Sequence, residues 1–498
     1  MGIVAKQSAR NAVILVTGLL LGAVNTMFVL PKAFEGFEEG WGLLRILTAW
    51  GTILAQVLAL GTPSAILRFL PSAKDGRREA SMLTTLCLLP AVALALAGLL
   101  STFAGDDLLL ALDADAGYLL QGRVGAFLFM AAAYTAMLLL RAVLTHRLRT
   151  VVITFVQEVW LKGSYLALAL VYLQGWMPFE TFFNWFLYSY AAAVLMMLAE
   201  AWSSRATLAK PQFKEDLAPF MEYSLFSLLN NGARVVAKNL DFVMVGGLLG
   251  LALVPRYTFA FFIATVVSMP VRAMSPILQS LTSKAVQNRG PEQCQPELQQ
   301  SARVQLTVTA ALLVAILTGM PALDLALPKT YQGLKWAVLA VGLAFAAEAS
   351  GGIAGPILQF SSRYKLYLPI NLGLVLMTVA SNYVFMSWFG WGIEGAALAT
   401  GMTGIWNMGW RTSLMWRLFR IHPFTSHWIG VLILSVAVGS AGLSLHLPQI
   451  VLTAEPMWQI IYALLSGGVA GSIVLVGSWA MGGLPELTAE IQKRLPRS

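Results

Sequence analysis

Charged residues are scarce in this chain of 498 residues. Lys, Arg, Asp and Glu together make up 11% of it, whereas an ordinary soluble protein carries about 25% charged residues. Hydrophobic residues make up 58%, and the mean hydropathy is +0.72. A soluble fold of this length cannot bury that much apolar surface, whereas a lipid bilayer solvates apolar side chains. The composition excludes a soluble enzyme and predicts an all-α polytopic membrane protein.

Groups that bind metals or carry out catalysis are few as well. The chain has two cysteines, Cys87 and Cys294, and four histidines that form neither an HxxxH nor an HExxH spacing. A Walker A motif is missing from the sequence, and so is a paired-cysteine metal motif. We therefore expect neither an enzyme nor a bound metal or cofactor.

Long apolar runs take the place of these motifs. A transmembrane helix needs about 20 mostly apolar residues. The sequence offers fourteen such segments: 11–31, 42–66, 81–104, 118–140, 151–173, 181–201, 220–248, 257–280, 303–323, 335–358, 367–388, 394–416, 428–447 and 457–481. The first segment follows Lys6 and Arg10, just as the apolar core of a signal peptide follows a basic start. However, it is too long for a signal peptide and has no small-residue cleavage site. We expect it to be retained.

The basic residues are distributed unevenly between the two sides of the predicted membrane. With the N-terminus in the cytoplasm, twenty Lys and Arg residues fall in cytoplasmic segments and four on the opposite side. Such a bias in short loops orients membrane proteins with the basic side inside. It predicts that both termini are cytoplasmic. The same basic residues face the anionic lipid of the cytoplasmic leaflet, which accounts for the net charge of +9. Nucleic acid is therefore not expected as a partner.

The seventh predicted span, 220–248, is the most polar. Six of its residues recur mainly at steps of three and four residues: Ser227, Asn230, Asn231, Arg234, Lys238 and Asp241. On a regular helix this spacing places them along one face. Polar groups at membrane depth are costly unless they face a bundle interior or water, so this face is expected to line an aqueous lumen. The alternative is that Lys238 and Asp241 pair with each other.

Further candidates for substrate binding lie in other spans. The second span carries a polar stripe of Arg45, Thr48, Thr52 and Gln56. Arg68 and Arg272 lie towards the inner ends of their spans, and Arg123 lies near an outer end. For these terminal arginines, extension of the side chain to the membrane surface is the alternative to a role in binding.

Carboxylates within the spans suggest ion pairs or coupling sites. Glu158 and Lys162 stand four residues apart, so they form either a structural ion pair or part of a site. Glu348 lies in a glycine- and proline-rich segment and has no partner that the sequence reveals. With Asp241, it is the candidate for coupling transport to H⁺ or Na⁺.

Basic residues outnumber acidic ones within the spans. We count nine of the former (Arg45, Arg68, Arg123, Lys162, Arg234, Lys238, Arg272, Arg303 and Arg411) and six of the latter (Glu158, Glu200, Glu222, Asp241, Glu348 and, at the first position of its span, Glu394). This excess favours an anionic cargo over an organic cation.

Three phrases carry a family resemblance: GLLRILTAWGTILAQVLALGTPSAILRFLP, NLDFVMVGGLLGLALVPRYTFAFFIATVVSMPVRAMSPIL and FGWGIEGAALATGMTGIWN. They resemble the polysaccharide (O-antigen type, Wzx-like) flippases of the multidrug/oligosaccharidyl-lipid/polysaccharide exporter superfamily. The resemblance covers roughly residues 5–420. It implies a six-helix bundle in 1–217, a second in 218–420, and two extra helices with an interfacial tail in 421–498. It also implies an acidic position in the seventh helix, which Asp241 matches.

The resemblance implies a flippase that moves a polyprenyl-diphosphate-linked oligosaccharide from the inner to the outer leaflet of a bacterial inner membrane. Cations would then bind the diphosphate, and amides and hydroxyls the sugars. The expected partners are the lipid-linked glycan, the lipid bilayer, a glycan polymerase and glycosyltransferases. A peptidoglycan-precursor (lipid II) flippase, a cation-coupled multidrug exporter of the same superfamily and a membrane glycan polymerase or acyltransferase are the alternatives.

Overall fold

The chain folds almost entirely into α-helices, which confirms the predicted fold class. The computed structural model describes residues 2–73, 75–110, 117–204, 209–211, 213–444 and 448–481, and these ranges contain no β-strand. The predicted amphipathic tail, 484–495, lies outside the described residues. By internal packing the chain divides into two compact units, Met1–Pro255 and Arg256–Ser498.

The first unit is built mainly from ten helices. They are α1 (Gly2–Val24), α2 (Glu38–Leu58), α3 (Thr62–Phe69), α4 (Gly76–Leu110), α5 (Val124–His146), α6 (Thr150–Phe155), α7 (Leu161–Leu173), α8 (Phe179–Ser203), α9 (Phe213–Ser227) and α10 (Ala233–Leu249). Single π-helical turns, Val156–Trp160 and Leu228–Gly232, join α6 to α7 and α9 to α10.

The second unit contains the remaining long helices. They are α11 (Val254–Thr265, which starts at the boundary), α12 (Met269–Arg289), α13 (Gln295–Ala326), α14 (Lys335–Ser350), α15 (Ala354–Phe360), α16 (Tyr367–Asn382), α17 (Gly392–Phe419), α18 (Ser426–Ser444) and α19 (Pro456–Ala480). α18 and α19 both pack against α13. The six-plus-six division at 217/218 stays a prediction.

Each of the fourteen predicted spans coincides with helical chain. Within the described residues, ten helical stretches are long and apolar enough to cross a membrane, and the bent pair α14 and α15 makes an eleventh. The other three spans correspond to α9 with α10, to α17, and to α18, which is a shorter apolar helix. Polar residues make the first two less apolar than the eleven, and α18 is shorter than they are.

The second predicted span, 42–66, is not one continuous helix. α2 ends at Leu58, and Leu60 and Gly61 adopt φ angles of 51° and 73°, in the left-handed region. A side chain at Gly61 would approach the carbonyl oxygen of Ser224 to 2.0 Å. Only glycine meets both the backbone angle and this close contact, so the chain breaks here and restarts as α3.

Candidate functional site

The polar stripe of the second span forms the centre of the candidate site. Arg45, Thr48, Thr52 and Gln56 lie on α2, and all four are half-buried. α2 packs against α5 on one side and α10 on the other. The sequence predicted the stripe, and the structure places it among three helices of the first unit.

Arg45 is positioned by an aromatic ring on the facing helix. Its guanidinium carbon lies 3.6 Å from the centre of the Phe242 ring, which belongs to α10 and is 1% exposed. The guanidinium also donates to the Thr48 hydroxyl at 3.4 Å. A buried ring under a guanidinium fixes its plane and stabilises its charge. This geometry leaves the position of Arg45 well defined.

Two tyrosines extend the polar stripe, and the sequence analysis did not identify them. The Tyr134 and Tyr190 hydroxyl oxygens lie 3.2 Å apart, and the Tyr134 ring lies against Gly51 of α2. They lie on α5 and α8, which pack together. The sequence places each tyrosine within a mainly apolar run. A phenol hydroxyl buried in such a run needs a hydrogen-bond partner, and this could have drawn attention to both residues.

The two threonines have less hydrogen-bonding capacity than expected. The Thr48 hydroxyl donates to the carbonyl oxygen of Arg45 at 2.7 Å, and that of Thr52 donates to the carbonyl of Thr48 at 2.8 Å. This local bonding is common for threonine in helices. Both hydroxyls can accept hydrogen bonds from a ligand, but their protons are already committed.

The seventh predicted span does not present its polar residues on one face. The π-turn Leu228–Gly232 interrupts it. A π-turn holds an extra residue, which offsets the faces on its two sides by about 100° relative to a regular helix. Ser227 before the turn is therefore offset from Arg234, Lys238 and Asp241 after it. Asp241 is buried, at 4% exposure, while Lys238 and Asn231 are exposed.

The polar residues around this turn differ in burial and in their neighbours. Asn231 donates to the Ser227 hydroxyl at 3.2 Å, and Gln56 of α2 lies against Gly232. Arg234 is half-buried one turn further along, followed by Lys238 on the surface. Asn230 is half-buried within the turn itself. The π-turn therefore brings the amides towards the far end of the α2 stripe.

The three terminal arginines lie outside α2. Arg68 is exposed on α3, 4.2 Å from the Tyr223 ring centre. Arg123 forms a 2.5 Å ion pair with Glu180. Arg272 is exposed on α12, in the second unit.

The Glu158–Lys162 pair is a structural ion pair at 2.6 Å. It faces α1, where a side chain at Gly18 would come within 2.6 Å of the Glu158 carbonyl oxygen. Gly22, one turn on, lies against the Lys162 side chain. These glycines let α1 approach the pair closely, and this contact favours the structural interpretation.

Glu348 has a partner, contrary to the expectation from sequence. Its carboxylate lies 3.7 Å from the guanidinium of Arg411 on α17. The Arg411 side chain is 14% exposed and that of Glu348 is 54% exposed, and Arg411 also lies near the Tyr367 ring. The pair sits just before the 52° bend between α14 and α15. The partner was missed because it comes from a distant helix.

The site offers cationic, amide and phenol groups rather than metal ligands. Within the described residues, no group of three or more His, Cys, Asp and Glu side chains is placed to hold a metal ion. Guanidinium and ammonium groups bind phosphate oxygens, and amides and hydroxyls bind sugar hydroxyls. The arrangement is chemically suited to binding an anionic, hydroxyl-rich ligand.

Comparisons with known proteins identify the fold. No family model matches the chain, and no curated protein matches it. The lipid II flippase MurJ in an inward closed conformation is similar, with a TM-score of 0.69 and 12% identity over 97% of this chain and 100% of that one. An inward-facing multidrug resistance MATE family transporter of the MOP superfamily has a TM-score of 0.62 and 16% identity, over 81% and 95%. MATE in the straight conformation has a TM-score of 0.54 at 16% identity, over 83% and 97%. The chain therefore has the fold of these membrane transporters.

Proposed function

We propose that this protein is a flippase that moves a polyprenyl-diphosphate-linked oligosaccharide from the inner to the outer leaflet by alternating access, for surface polysaccharide synthesis. A diphosphate-sugar head cannot cross hydrocarbon unaided, because burying its charges without partners is too costly. Such a protein needs cations placed at membrane depth, with hydroxyl-binding groups beside them. The polyprenyl tail can stay in the lipid while the head passes.

The position of Arg45 is the observation that carries this proposal. Its guanidinium lies over the buried Phe242 ring and donates to the Thr48 hydroxyl of α2. A guanidinium offers a planar pair of donors that matches phosphate oxygens. Lys238, exposed on the helix that carries Phe242, adds a second cation. Diphosphate and sugar recognition are thus available within one unit.

Two other functions of this fold compete with the proposal. A lipid II flippase would carry the same polyprenyl diphosphate with a different glycan, and the similarity to MurJ covers both chains almost completely. A MATE-type exporter of organic cations would need accessible carboxylates. Asp241 is buried and Glu348 faces Arg411, so these acids are less available to a cationic drug.

Export of surface glycan by alanine variants tests the proposal. We expect Arg45→Ala, Arg234→Ala and Lys238→Ala each to reduce export strongly, because a lost charge-assisted hydrogen bond costs about 1.5–3 kcal/mol. Arg234→Lys should recover part of the activity, since it restores the charge without the planar fork. Surface glycan on intact cells is the readout, with membrane levels of each variant measured in parallel.

Arg149→Gln is the matched control. It removes a basic side chain of 55% exposure that faces Glu200 at 3.4 Å, away from the α2 stripe. It should export glycan at the wild-type level. Normal export by all three alanine variants would rule out a cationic binding site in the first unit. Loss of drug resistance in place of glycan export would favour the multidrug exporter.

A further inference from the structure

α12 carries a regular ladder of amide and hydroxyl side chains. Ser275, Gln279, Ser283 and Gln287 follow one another at intervals of four residues, so they share one face of the helix. The Gln279 amide donates to the Ser275 hydroxyl at 3.0 Å, and the Gln287 amide donates to the Ser283 hydroxyl at 3.4 Å. All four belong to pairs that are exposed to solvent. We call this face the α12 ladder.

The ladder extends along the end of an unusually long helical segment. Residues Leu251–Arg289 form one stretch of 39 residues, which is roughly 55–60 Å at 1.5 Å per residue. The hydrocarbon core is only about 30 Å thick. The Arg289 end therefore extends beyond the hydrocarbon, on the side predicted to be cytoplasmic. The ladder runs from membrane depth out to the aqueous phase.

The ladder retains hydrogen-bonding capacity for a ligand. In both pairs the serine oxygen accepts from the glutamine amide, so the hydroxyl proton and the amide carbonyl point elsewhere. Among the described residues these four side chains make no other hydrogen bond. A row of alternating donors and acceptors about 6 Å apart along the axis matches a chain of sugar rings better than a single compact ligand.

The charge and the opposite face of α12 favour a glycan with a lipid anchor. The helix contains Arg272, Lys284 and Arg289 but no Asp or Glu, and Arg289 is paired with Glu297 of α13 at 2.5 Å. The other side of the helix lines an apolar cavity of about 370 Å³ through Met274, Leu278 and Ala285. This helix thus has an apolar side and, opposite to it, a polar side that is neutral to basic. A lipid-linked, negatively charged glycan has the same two parts.

We propose that the α12 ladder is a docking surface for the oligosaccharide of the lipid-linked cargo as it enters from the cytoplasmic leaflet. The sugars hydrogen-bond to Gln279, Ser283 and Gln287, while the diphosphate is bound elsewhere. This inference rests on the proposed function and adds a second surface to it. The ladder gives affinity for cargo with a finished glycan over cargo without one.

Binding of two lipids to the full-length protein in nanodiscs tests the ladder. The probes are bare polyprenyl diphosphate and the lipid-linked oligosaccharide extracted from the source bacterium. We expect the double variant Gln279→Leu, Gln287→Leu to raise the Kd for the oligosaccharide lipid roughly tenfold, because two hydrogen bonds are lost. Its Kd for bare polyprenyl diphosphate should not change. Unchanged binding of that second probe also shows that the double variant is folded.

Asn288→Leu is the control, because Asn288 is an exposed amide on the same helix but off the ladder. It should bind both probes as the wild type does. An unchanged Kd of the double variant for the oligosaccharide lipid would overturn the ladder, and so would an equal loss for both probes. Wild-type protein that binds neither probe would instead refute the proposed function. The two failures are therefore distinguishable.

Discussion

Aromatic rings hold arginine side chains at more than one position in the first unit. Arg45 lies over Phe242, and Arg68 lies over Tyr223. Such contacts contribute about 0.5–2 kcal/mol, and more when the pair is desolvated. Because the Phe242 ring is buried, the contact of Arg45 belongs at the upper end of this range. The ring therefore acts on Arg45 as a positioning residue.

This geometry predicts different effects of Arg45→Lys and Phe242→Leu. A lysine keeps the charge but cannot stack its plane on the ring or offer a two-pronged contact to diphosphate. We expect Arg45→Lys to export glycan partially, and Phe242→Leu to retain more export than Arg45→Ala because the guanidinium is still present. Surface glycan per molecule of membrane-inserted protein is the measurement. Equal export by Arg45→Ala and wild type would contradict this role.

Local spacing predicted only the contacts that lie within one helix. The Glu158–Lys162 pair followed from a separation of four residues, and the two groups lie 2.6 Å apart. The Glu348–Arg411 pair and the Arg45–Phe242 contact join distant helices. Such contacts depend on helix packing, which hydrophobic periodicity does not encode. The sequence therefore identified Arg45, Asp241 and Glu348 without their surroundings.

At the scale of whole helices, span positions followed from hydropathy but helix breaks did not. Each of the fourteen apolar runs consists mainly of helix in its described part, because a bilayer requires backbone groups to be bonded internally. The break at Leu60–Gly61 and the π-turn at Leu228–Gly232 were missed. Both depend on tertiary contacts, such as that between Gly61 and Ser224. The π-turn offsets Arg234, Lys238 and Asp241 together from the polar residues before it.

The close packing of α19 on α13 depends on small residues at four-residue intervals. A side chain at Gly467 would approach the carbonyl oxygen of Ala315 to 2.3 Å, and one at Gly319 would approach that of Ala463 to 2.6 Å. Small residues at helix interfaces allow such approach in membranes. The last helix is thus fixed to the second unit by backbone proximity.

Two adjacent glycines allow a matched test of this packing. Gly467→Leu should force α19 away from α13 and lower the thermal unfolding temperature in detergent by several degrees. Gly468→Leu should have little effect, because nothing lies within 4 Å of a side chain at that position. Fluorescence-detected unfolding of the two purified variants is the comparison. Similar unfolding temperatures of the two variants would show that α13 and α19 are not closely packed at Gly467.

At the scale of the whole molecule, the charge bias predicts the orientation of every loop. Residues 72–79, 141–150 and 359–365 should be cytoplasmic, and 105–117 external. Cysteines introduced singly into a variant without Cys87 and Cys294 can be labelled from outside intact cells by a membrane-impermeant maleimide. Only a cysteine in 105–117 should react. External labelling in two of the other loops would overturn the topology and the cytoplasmic position of the α12 ladder.

The energy source of transport concerns the whole molecule as well, because coupling requires two states that bind an ion differently. The sequence has no Walker A motif, and we propose an ion gradient as the direct energy source. Asp241 is buried beside Phe242, and Glu348 faces Arg411 at the bend between α14 and α15. A diphosphate that binds the nearby cations would displace a carboxylate from its environment. The displaced carboxylate could then take up H⁺ or Na⁺.

Proteoliposomes that contain a lipid-linked glycan and an imposed pH or Na⁺ gradient test this coupling. Wild-type flipping should accelerate with one of the two gradients, because the ion stabilises one facing state over the other. Asp241→Asn or Glu348→Gln should lose that acceleration while still binding cargo, since neither amide can exchange a proton or hold a cation by charge. Glu158→Gln is the control, because Glu158 is committed to Lys162. Flipping by the wild type at equal rates with and without either gradient would show that transport runs downhill. In that case Arg45 and the α12 ladder would still bind cargo, and later removal of the glycan outside would set the direction.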